Sequence, residues 1–364
     1  MIINNLKNLG SRIDQTIFAC LMVILVVGLV TLYSADHSQT NEFISQVANI
    51  TLGLIGLFVM SNTKPKIIFS YTPFIFIAGL ILLIWVKFFG LESNGAQRWI
   101  DIGILKFQPS ELMKLAIPLT LAWFYQNNEN NITVQSHVIA SIILGIPFYL
   151  ILTQPDLGTA LMISFSAFAI IFSAGLTRKF IISSSLLLLI SSPFLWHSLE
   201  KYQQSRILNL LDPFQDALGA GYQTIQSLIA LGSGGLIGKG WMNSTQTQLN
   251  FLPEATTDFI FAVYSEEFGF IGVLAILSVY IIFLLRLSFM ASRMQDTFSR
   301  LTTLGLIVSI FSGVLVNLGM ISGLLPIVGA PLPFFSYGGT SMVVSLVSIG
   351  IIMSLYSHKS LIAN

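Results

Sequence analysis

The sequence predicts an all-α integral membrane protein, a ten-helix transmembrane bundle with a large outer loop between spans 7 and 8. Of its 364 residues, 54% are hydrophobic and only 9% are charged, whereas a soluble domain carries about 25% charged residues. So few charges exclude an ordinary water-soluble enzyme, and the hydrophobicity excludes a disordered chain. The formal net charge of +1 provides no basic surface for nucleic acid, so we expect no nucleic-acid partner.

Ten apolar runs meet or approach the roughly 20 residues that a helix needs to cross a bilayer. They lie at 15–34, 44–61, 68–90, 110–126, 137–153, 158–175, 179–196, 259–286, 301–325 and 337–357. The first run is longer than the apolar part of a typical signal peptide, so we interpret it as a retained span. We expect a single polytopic membrane domain over residues 1–364, with two substantial outer segments at 91–110 and 197–258.

The positive charges of the loops predict the orientation of the bundle. With the N-terminus inside, ten lysines and arginines fall on the inner side and five on the outer side. Inner loops of membrane proteins carry the excess of these residues. An even number of spans then returns the C-terminus to the inside, so we expect both termini in the cytoplasm.

Several ionisable groups lie at or within the predicted spans, where a charge costs about 3 kcal/mol or more unless it has partners. Glu111 and Lys114 are three residues apart at the start of the fourth span and share one helix face, so they form a local pair or face one cavity. Glu266 and Glu267 lie deep in the eighth span. Two adjacent carboxylates at that depth require basic partners, such as Lys114, or bound cations.

Two aspartates precede apolar helices. Asp156 lies just before the sixth span and is well placed to cap that helix. Asp258 ends the long outer loop just before the eighth span, where it is either a cap or first-turn charge or a functional carboxylate at the outer surface. Arg98 precedes Trp99 and is either an interfacial anchor or a fork for phosphate oxygens.

The outer loops contain irregular, glycine-rich stretches. Seven glycines fall between residues 219 and 240, but Lys239 is followed by Gly240, so this is not a phosphate-binding loop of the nucleotide type. Close backbone packing or tight turns explain these glycines better. Residues 222–231 predict a short amphipathic helix on the membrane. The proline- and glycine-rich loop 322–341 predicts irregular backbone that lines an outward-facing cavity.

Four segments together resemble the SEDS family (shape, elongation, division, sporulation) of peptidoglycan polymerases. They are GAQRWIDIGILKFQPSELMK at 95–114, QPDLGTA at 154–160, LPEATTDFIFAVYSEEFG at 252–269 and PLPFFSYGGTS at 331–341. The runs GAQRW, DPFQDALGAGYQTIQS and GKGWMNSTQTQLNFLPE resemble its elongation branch rather than its division branch. One departure is Thr256, where the family pattern often has histidine.

The resemblance implies a glycosyltransferase that polymerises lipid II, the undecaprenyl-pyrophosphate-linked disaccharide pentapeptide, during cell elongation. It implies Asp258 as the catalytic residue and assigns Arg98, Glu111 and Lys114 to the site. It also implies a place in the bacterial cytoplasmic (inner) membrane with the active site on the outer face. The implied partner is a class B penicillin-binding protein, the transpeptidase of the elongation complex.

On this basis Asp258 is the predicted general base. Arg98, Lys114 and Lys239 are predicted to hold the pyrophosphate groups of the substrate, with Glu111 orienting Lys114. No cofactor is certain, and the candidate is a divalent cation, magnesium or manganese, with Asp258 as a ligand. The alternative function is a flippase or transporter of the lipid-linked precursor, because a many-span bundle with intramembrane charges also suits transport.

Overall fold

The computed structural model of the chain describes residues 12–36, 40–93, 96–101, 106–176 and 221–358, together with isolated positions between 180 and 210. The α-helices within these ranges are α1 Gln15–Ala35, α2 Thr40–Asn62, α3 Pro65–Phe89, α4 Pro109–Asn127, α5 Val134–Leu152, α6 Leu157–Ser173, α7 Tyr222–Ser233, α8 Thr245–Gln248, α9 Ile260–Ser292, α10 Thr297–Ile321 and α11 Gly339–Ser357. The strands are β1 Leu91–Ser93, β2 Ala96–Asp101 and β3 Lys106–Phe107.

The predicted multi-span helical architecture is confirmed. Among the described residues, seven helices are long and apolar enough to cross a membrane: α1, most of α2, α3, α5, α9, α10 and α11. The predicted spans at 110–126 and 158–175 coincide with α4, which carries Glu111 and Lys114, and with α6, which has only 17 residues. Only isolated positions of the predicted span 179–196 are described, so the count of ten stays a prediction.

Helix α4 lies at the centre of the bundle, packed against α3, α6, α10 and α11. Thirteen of its 19 residues are buried, including Glu111. By contrast, α3 presents large apolar side chains outward, such as Phe74 and Phe88, which are 67% and 68% exposed. The apolar rim suits lipid, and the central position of α4 removes its polar groups from lipid contact.

The outer segment 91–110 contains a small antiparallel sheet that the all-α prediction did not include. Its strand order is β1-β2-β3, with Glu92 opposite Gln97 and Asp101 opposite Lys106. Strand β2 contacts α3 and α4, and β3 contacts α11. The sheet therefore fixes the ends of α3, α4 and α11 on this side of the bundle.

Helix α9 is broken at Gly269, where φ is 65° and ψ is −168°. Residues 234–240, which we call the inserted loop, fill the break. Two of its N–H groups donate to carbonyl oxygens before the break, both at 3.0 Å, and two of its carbonyl oxygens accept from N–H groups after it, at 2.9 and 3.1 Å. A Cβ atom at Gly238 would lie 2.0 Å from the Glu267 carbonyl oxygen, which confirms close backbone packing as the reason for glycine there.

The chain between α10 and α11, residues 322–338, is irregular and folds back into the bundle, as predicted. Val328, Ala330, Leu332 and Phe334 of this last loop are buried. The hydroxyl group of Tyr280 donates to the carbonyl oxygen of Pro333 at 2.6 Å. The last loop is therefore fixed to α9 at its buried end.

The predicted helix at 222–231 is confirmed as α7, which packs against α9 and α10. Its small residues Thr224, Ser227 and Ala230 face the bundle, and the Ser227 hydroxyl group donates to the Ile321 carbonyl oxygen at 3.1 Å. The helix thus lies on the protein rather than on the membrane alone, although Ile229 is exposed.

Candidate active site

Asp258 lies in a turn immediately outside α9 and does not cap that helix. The N-cap position of α9 is Phe259, which makes no side-chain hydrogen bond to the helix end. The Asp258 side chain is half-buried and lies against the last loop, because a Cβ atom built on Gly329 would be 3.4 Å from Asp258 Oδ2. Asp258 is therefore not the N-cap residue of α9, and its carboxylate lies at the junction of two loops.

Hydrogen bonds hold these two loops together. The side-chain nitrogen Nδ2 of Asn317, on α10, donates to the Asp258 carbonyl oxygen at 2.8 Å and to the Ala330 carbonyl oxygen at 2.7 Å. The backbone N–H of Tyr337 donates to the Thr256 carbonyl oxygen at 3.0 Å. The Asp258 turn and the last loop therefore form one unit.

The phenol of Tyr337 adds a neutral polar group to this unit. Burial raises the pKa of Tyr337, and the nearby Glu42 carboxylate raises it further. The hydroxyl group therefore keeps its proton at neutral pH and is available only as a neutral hydrogen-bonding group.

Glu111 and Lys114 form the predicted pair, with 2.6 Å between Glu111 Oε1 and Lys114 Nζ. Both side chains are largely buried, at 6% and 13% exposure. Lys114 lines a cavity of about 20 Å³ together with Pro331, Ser341 and Ser345, which is room for about one water molecule. The last loop thus touches the Asp258 carboxylate at Gly329 and the Lys114 cavity at Pro331.

Arg98 binds backbone rather than a side chain. Its Nε donates to the Gln154 carbonyl oxygen at 2.7 Å and its Nη2 donates to the Pro155 carbonyl oxygen at 2.5 Å. These bonds tie strand β2 to the turn between α5 and α6. The geometry gives Arg98 a structural task, and its contact with phosphate stays a prediction.

Asp156 is confirmed as the N-cap of α6, since it accepts from the Thr159 N–H at 3.1 Å. Its other oxygen accepts from Gln108 Nε2 at 2.9 Å and from the Ser110 hydroxyl group at 3.0 Å. Asp156 thus joins the starts of α4 and α6. A Cβ atom at Gly158 would lie 3.0 Å from the Val328 carbonyl oxygen, so this junction also abuts the last loop.

Lys239 pairs with a carboxylate well away from Asp258. Its Nζ lies 2.6 Å from Glu266 Oε1 and donates to the Thr245 hydroxyl group at 2.9 Å. Glu266 is eight residues beyond Asp258, about 12 Å along α9. The expected basic partner of the deep carboxylates therefore exists, but for Glu266 it is Lys239 and not Lys114.

The two deep carboxylates bind the outer loop from within the bundle. Glu266 also accepts from the Ser244 hydroxyl group at 2.5 Å and from the Thr245 N–H at 3.0 Å. Glu267 accepts from the Ser34 hydroxyl group and from the Met242 N–H. Glu266 and Glu267 therefore fix the inserted loop and the residues that follow it.

The described residues contain no group of three or more His, Cys, Asp or Glu side chains that could hold a metal ion. Asp258 would thus offer a divalent cation the oxygens of one carboxylate. Magnesium sites with so few protein ligands take their remaining oxygens from substrate phosphates and water. A cation at Asp258 therefore stays a prediction that depends on bound substrate.

Comparison with known proteins identifies the family. The family model for FtsW, RodA and SpoVE, described as cell cycle proteins, matches residues 14–361. The chain belongs to the FtsW/RodA/SpoVE family. This membership confirms the family that the four sequence segments resemble.

Individual relatives within the FtsW/RodA/SpoVE family match over nearly their whole length. Peptidoglycan glycosyltransferase MrdB of Escherichia coli is 41% identical over 353 residues, which are 97% of this chain and 95% of the relative. Stage V sporulation protein E of Bacillus subtilis is 34% identical over 365 residues, covering 95% and 97%. The match to MrdB agrees with the elongation branch that the sequence runs indicated.

Solved structures of the FtsW/RodA/SpoVE family share the fold. A chain from a peptidoglycan synthase complex, described as coordinating polymerization and crosslinking, matches with a TM-score of 0.82 at 30% identity, covering 95% of this chain and 98% of the other. The rod shape determining protein RodA of Thermus thermophilus matches with a TM-score of 0.72 at 28% identity, covering 95% and 97%. The chain is a multi-pass helical membrane protein of this type.

Sequence reasoning missed Asn317 and Gly329 in this FtsW/RodA/SpoVE protein. Asn317 lies within an apolar span. From the sequence alone, an asparagine there that supports a functional site looks the same as one that only makes a structural hydrogen bond. Gly329 was counted only as part of a glycine-rich loop. The one local signal was Asn317 itself, near the C-terminal end of α10, because a polar side chain within an apolar helix needs partners.

Proposed function

We propose that the chain is a peptidoglycan glycosyltransferase that polymerises lipid II into glycan strands during cell elongation. The observation that carries this proposal is the 41% identity to peptidoglycan glycosyltransferase MrdB over 97% of the chain. The half-buried Asp258 carboxylate at the junction of two loops supplies the group that the reaction needs. The protein is an enzyme of cell-wall synthesis that maintains rod shape.

The proposed site of action is the outer face of the bacterial cytoplasmic membrane. Asp14 and Arg286 form an ion pair at 2.7 Å, and Arg12 donates to the Asn62 carbonyl oxygen at 3.1 Å, both at the end of the bundle opposite Asp258. At the same end of the bundle, the hydroxyl group of Ser354, near the C-terminal end of α11, donates to the carbonyl oxygen of Thr63. By the positive-inside rule a basic end is typical of the cytoplasmic side, and this supports the proposal that both termini lie inside and Asp258 outside.

In the proposed reaction Asp258 accepts the proton of the acceptor sugar 4-hydroxyl group as that oxygen attacks the donor. The new bond joins this oxygen to the anomeric carbon, and the bond from that carbon to the pyrophosphate oxygen breaks. Undecaprenyl pyrophosphate leaves with the bonding electrons, and the carboxylate keeps the proton until solvent takes it. A single displacement from the opposite face inverts an α-linked donor to a β-linked product.

The leaving pyrophosphate requires fixed positive charge. Lys114 is the best-placed of the predicted cations, since Glu111 holds it beside the same last loop that contacts Asp258. All three cations already donate to protein acceptors, Lys114 to Glu111, Arg98 to backbone and Lys239 to Glu266, so each would need to exchange or share its bonds to reach a phosphate. A divalent cation, when bound with the substrate, would add further positive charge.

The undecaprenyl tail is proposed to lie in an apolar groove between α3 and α5. The groove has a volume of about 820 Å³. Its walls include Ile84, Val138, Ile142, Tyr149 and Phe180. Apolar walls open to the side of a bundle suit a hydrocarbon chain that reaches in from the membrane.

A class B penicillin-binding protein is the proposed partner. The likeness to a chain of a peptidoglycan synthase complex, in which polymerization and crosslinking are coordinated, supports this proposal. A transpeptidase that crosslinks the glycan strand would take the product of this enzyme directly.

Asp258→Asn tests the proposed function. The variant keeps the shape of the side chain but removes the base, so we expect folded protein and no glycan polymer from purified lipid II. The assay is made in liposomes that report polymer and lipid translocation separately. Near-normal polymerisation would refute the base, and translocation without polymer from the unmodified protein would favour the flippase alternative.

A further inference from the structure

Among the described residues, Asn317 is the side chain that contacts both backbone segments of the candidate site through a single atom. Its Nδ2 donates to the carbonyl oxygens of Asp258 and Ala330, at 2.8 and 2.7 Å. The residue is fully buried on α10. Both hydrogens of the amide are therefore committed to the two segments whose contact defines the position of the carboxylate.

This placement is not explained by the stability of the core alone. Within the described residues, Oδ1 of Asn317 has no hydrogen-bond partner. A buried polar atom without a partner costs about 1–3 kcal/mol. Two neutral hydrogen bonds return about 1 kcal/mol each, and an apolar side chain of similar size would leave the Asp258 and Ala330 carbonyl oxygens without this donor. Replacing the amide is therefore expected to change both the stability and the geometry of the site, and the two effects have to be measured separately.

Asn317 constrains the geometry of the site as well as contributing to its stability. Ala330 follows Gly329, the residue beside Asp258 Oδ2. One nitrogen that bonds both carbonyl oxygens fixes the spacing between the Asp258 backbone and this part of the last loop. Other side-chain contacts of the loop within the described part of the chain, such as those from Tyr280 to Pro333 and from Gln46 to Ser336, join it to α9 and α2 and not to the Asp258 turn.

We propose that Asn317 is a positioning residue that sets the Asp258 carboxylate against the last loop in the orientation needed to accept the sugar proton. Asn317 acts through the backbone and touches no substrate. The proposal rests on the proposed role of Asp258 as the base. A base must lie within about 2.6–3.2 Å of the oxygen that it deprotonates, and a displacement of about 1 Å is able to cost 100-fold in rate.

The test compares Asn317→Leu with Ser166→Ala in the full-length protein, with its partner present if polymerisation requires it. Ser166, on α6, is also fully buried. Its hydroxyl group donates to the carbonyl oxygen of Gly305, on α10, at 2.8 Å. Gly305 is twelve residues from Asn317, about 18 Å along α10. The control therefore removes a comparable buried hydrogen bond far from Asp258.

We expect Asn317→Leu to lower kcat for glycan polymerisation about 10- to 100-fold, with KM for lipid II within about threefold, per molecule of folded protein. Ser166→Ala should keep kcat within about twofold of the unmodified protein, even if its melting temperature falls as much as that of Asn317→Leu. Asn317→Ser retains one donor and should give an intermediate kcat. It also serves as the test variant if Asn317→Leu does not accumulate.

The outcomes separate this proposal from the function on which it rests. If folded Asn317→Leu, or Asn317→Ser in its place, polymerises lipid II at the unmodified rate, the positioning role is refuted. The positioning role is also refuted if the Asn317 variant loses polymerisation activity only in proportion to its loss of folded protein, as is expected of Ser166→Ala. If Asp258→Asn, measured in parallel, keeps its activity, the base assignment itself fails.

Discussion

At the scale of single residues, the Asp258 carboxylate meets backbone at Gly329. Gly329 has φ of +72°, in the left-handed region that costs other residues about 1–2 kcal/mol. A Cβ atom there would be in van der Waals contact with Oδ2, at 3.4 Å. Glycine at this position therefore keeps hydrocarbon away from the atom that we propose accepts the proton.

Gly329→Ala should lower polymerisation about tenfold or more while destabilising the protein by only about 1 kcal/mol. The matched control is Gly323→Ala, because Gly323 lies in the same loop with φ of +68° and a Cβ there would meet Leu228 and Thr224 at 3.6 Å. The control should lose similar stability and keep its activity. Equal activity of the two purified variants would show that the space beside Oδ2 does not matter.

The residues of the site differ in how far the sequence predicts them. The Glu111–Lys114 pair follows from a spacing of three in one helix, and the Asp156 cap follows from its place before an apolar run. The partners of Arg98 and Lys239 do not follow, because they lie 56 and 27 residues away and are set by tertiary packing. Neither partner produces a local pattern that could be recognised beforehand.

At the scale of elements, the inserted loop and the two halves of α9 form one hydrogen-bonded unit. A break in a membrane helix leaves backbone groups without partners, and these are tolerated only where protein satisfies them. The inserted loop satisfies them at Gly269, and Glu266 binds the residues that follow the loop. The outer half of α9, which begins two residues after Asp258, therefore depends on this loop for its position.

Lys239→Met should lower the free energy of unfolding by about 2 kcal/mol, because it leaves the buried Glu266 carboxylate without its cation. Adding Glu266→Gln should recover part of this loss, since an amide keeps hydrogen bonds without the charge. Thermal unfolding of purified protein measures both effects. A large rise in KM for lipid II in Lys239→Met, with unchanged stability, would instead support the predicted contact of Lys239 with pyrophosphate.

Composition predicted the helices well, because long apolar runs have few alternatives. It did not predict the break in α9, since a glycine inside a helical pattern is tolerated at about 1 kcal/mol. It did not predict the sheet either, because strands of three, six and two residues are too short for a periodic pattern. Both features form through contacts between segments distant in sequence.

At the scale of the whole molecule, the two ends of the bundle have different chemistry. One end carries the sheet, the last loop and the Asp258 turn. The other carries the Asp14–Arg286 pair, where burial raises the pKa of Asp14 but the hydrogen bonds from Arg286 and the Ile17 N–H outweigh it and hold that pKa below its usual value. A glycan polymerase that uses a substrate on one leaflet needs such an asymmetry, whereas a transporter needs access from both ends.

Labelling of single cysteines tests the proposed orientation in a Cys20→Ser background. Glu254→Cys, in an exposed position four residues before Asp258, should react with a membrane-impermeant maleimide in intact spheroplasts. Lys64→Cys, exposed at the opposite end, should react only after the membrane is opened. The reverse pattern would place Asp258 in the cytoplasm and exclude a substrate on the outer leaflet.

The break at Gly269 also has a consequence for how the chain enters the membrane during synthesis. Residues 270–292 are long enough to span the bilayer alone, whereas residues 260–268 carry two carboxylates that the insertion machinery would reject. The inserted loop precedes α9 in the chain, so in the proposed orientation it would be translated and exported first. Residues 260–268 of α9 would then pack against a loop that has already crossed the membrane. Export of the inserted loop would therefore have to precede assembly of the site.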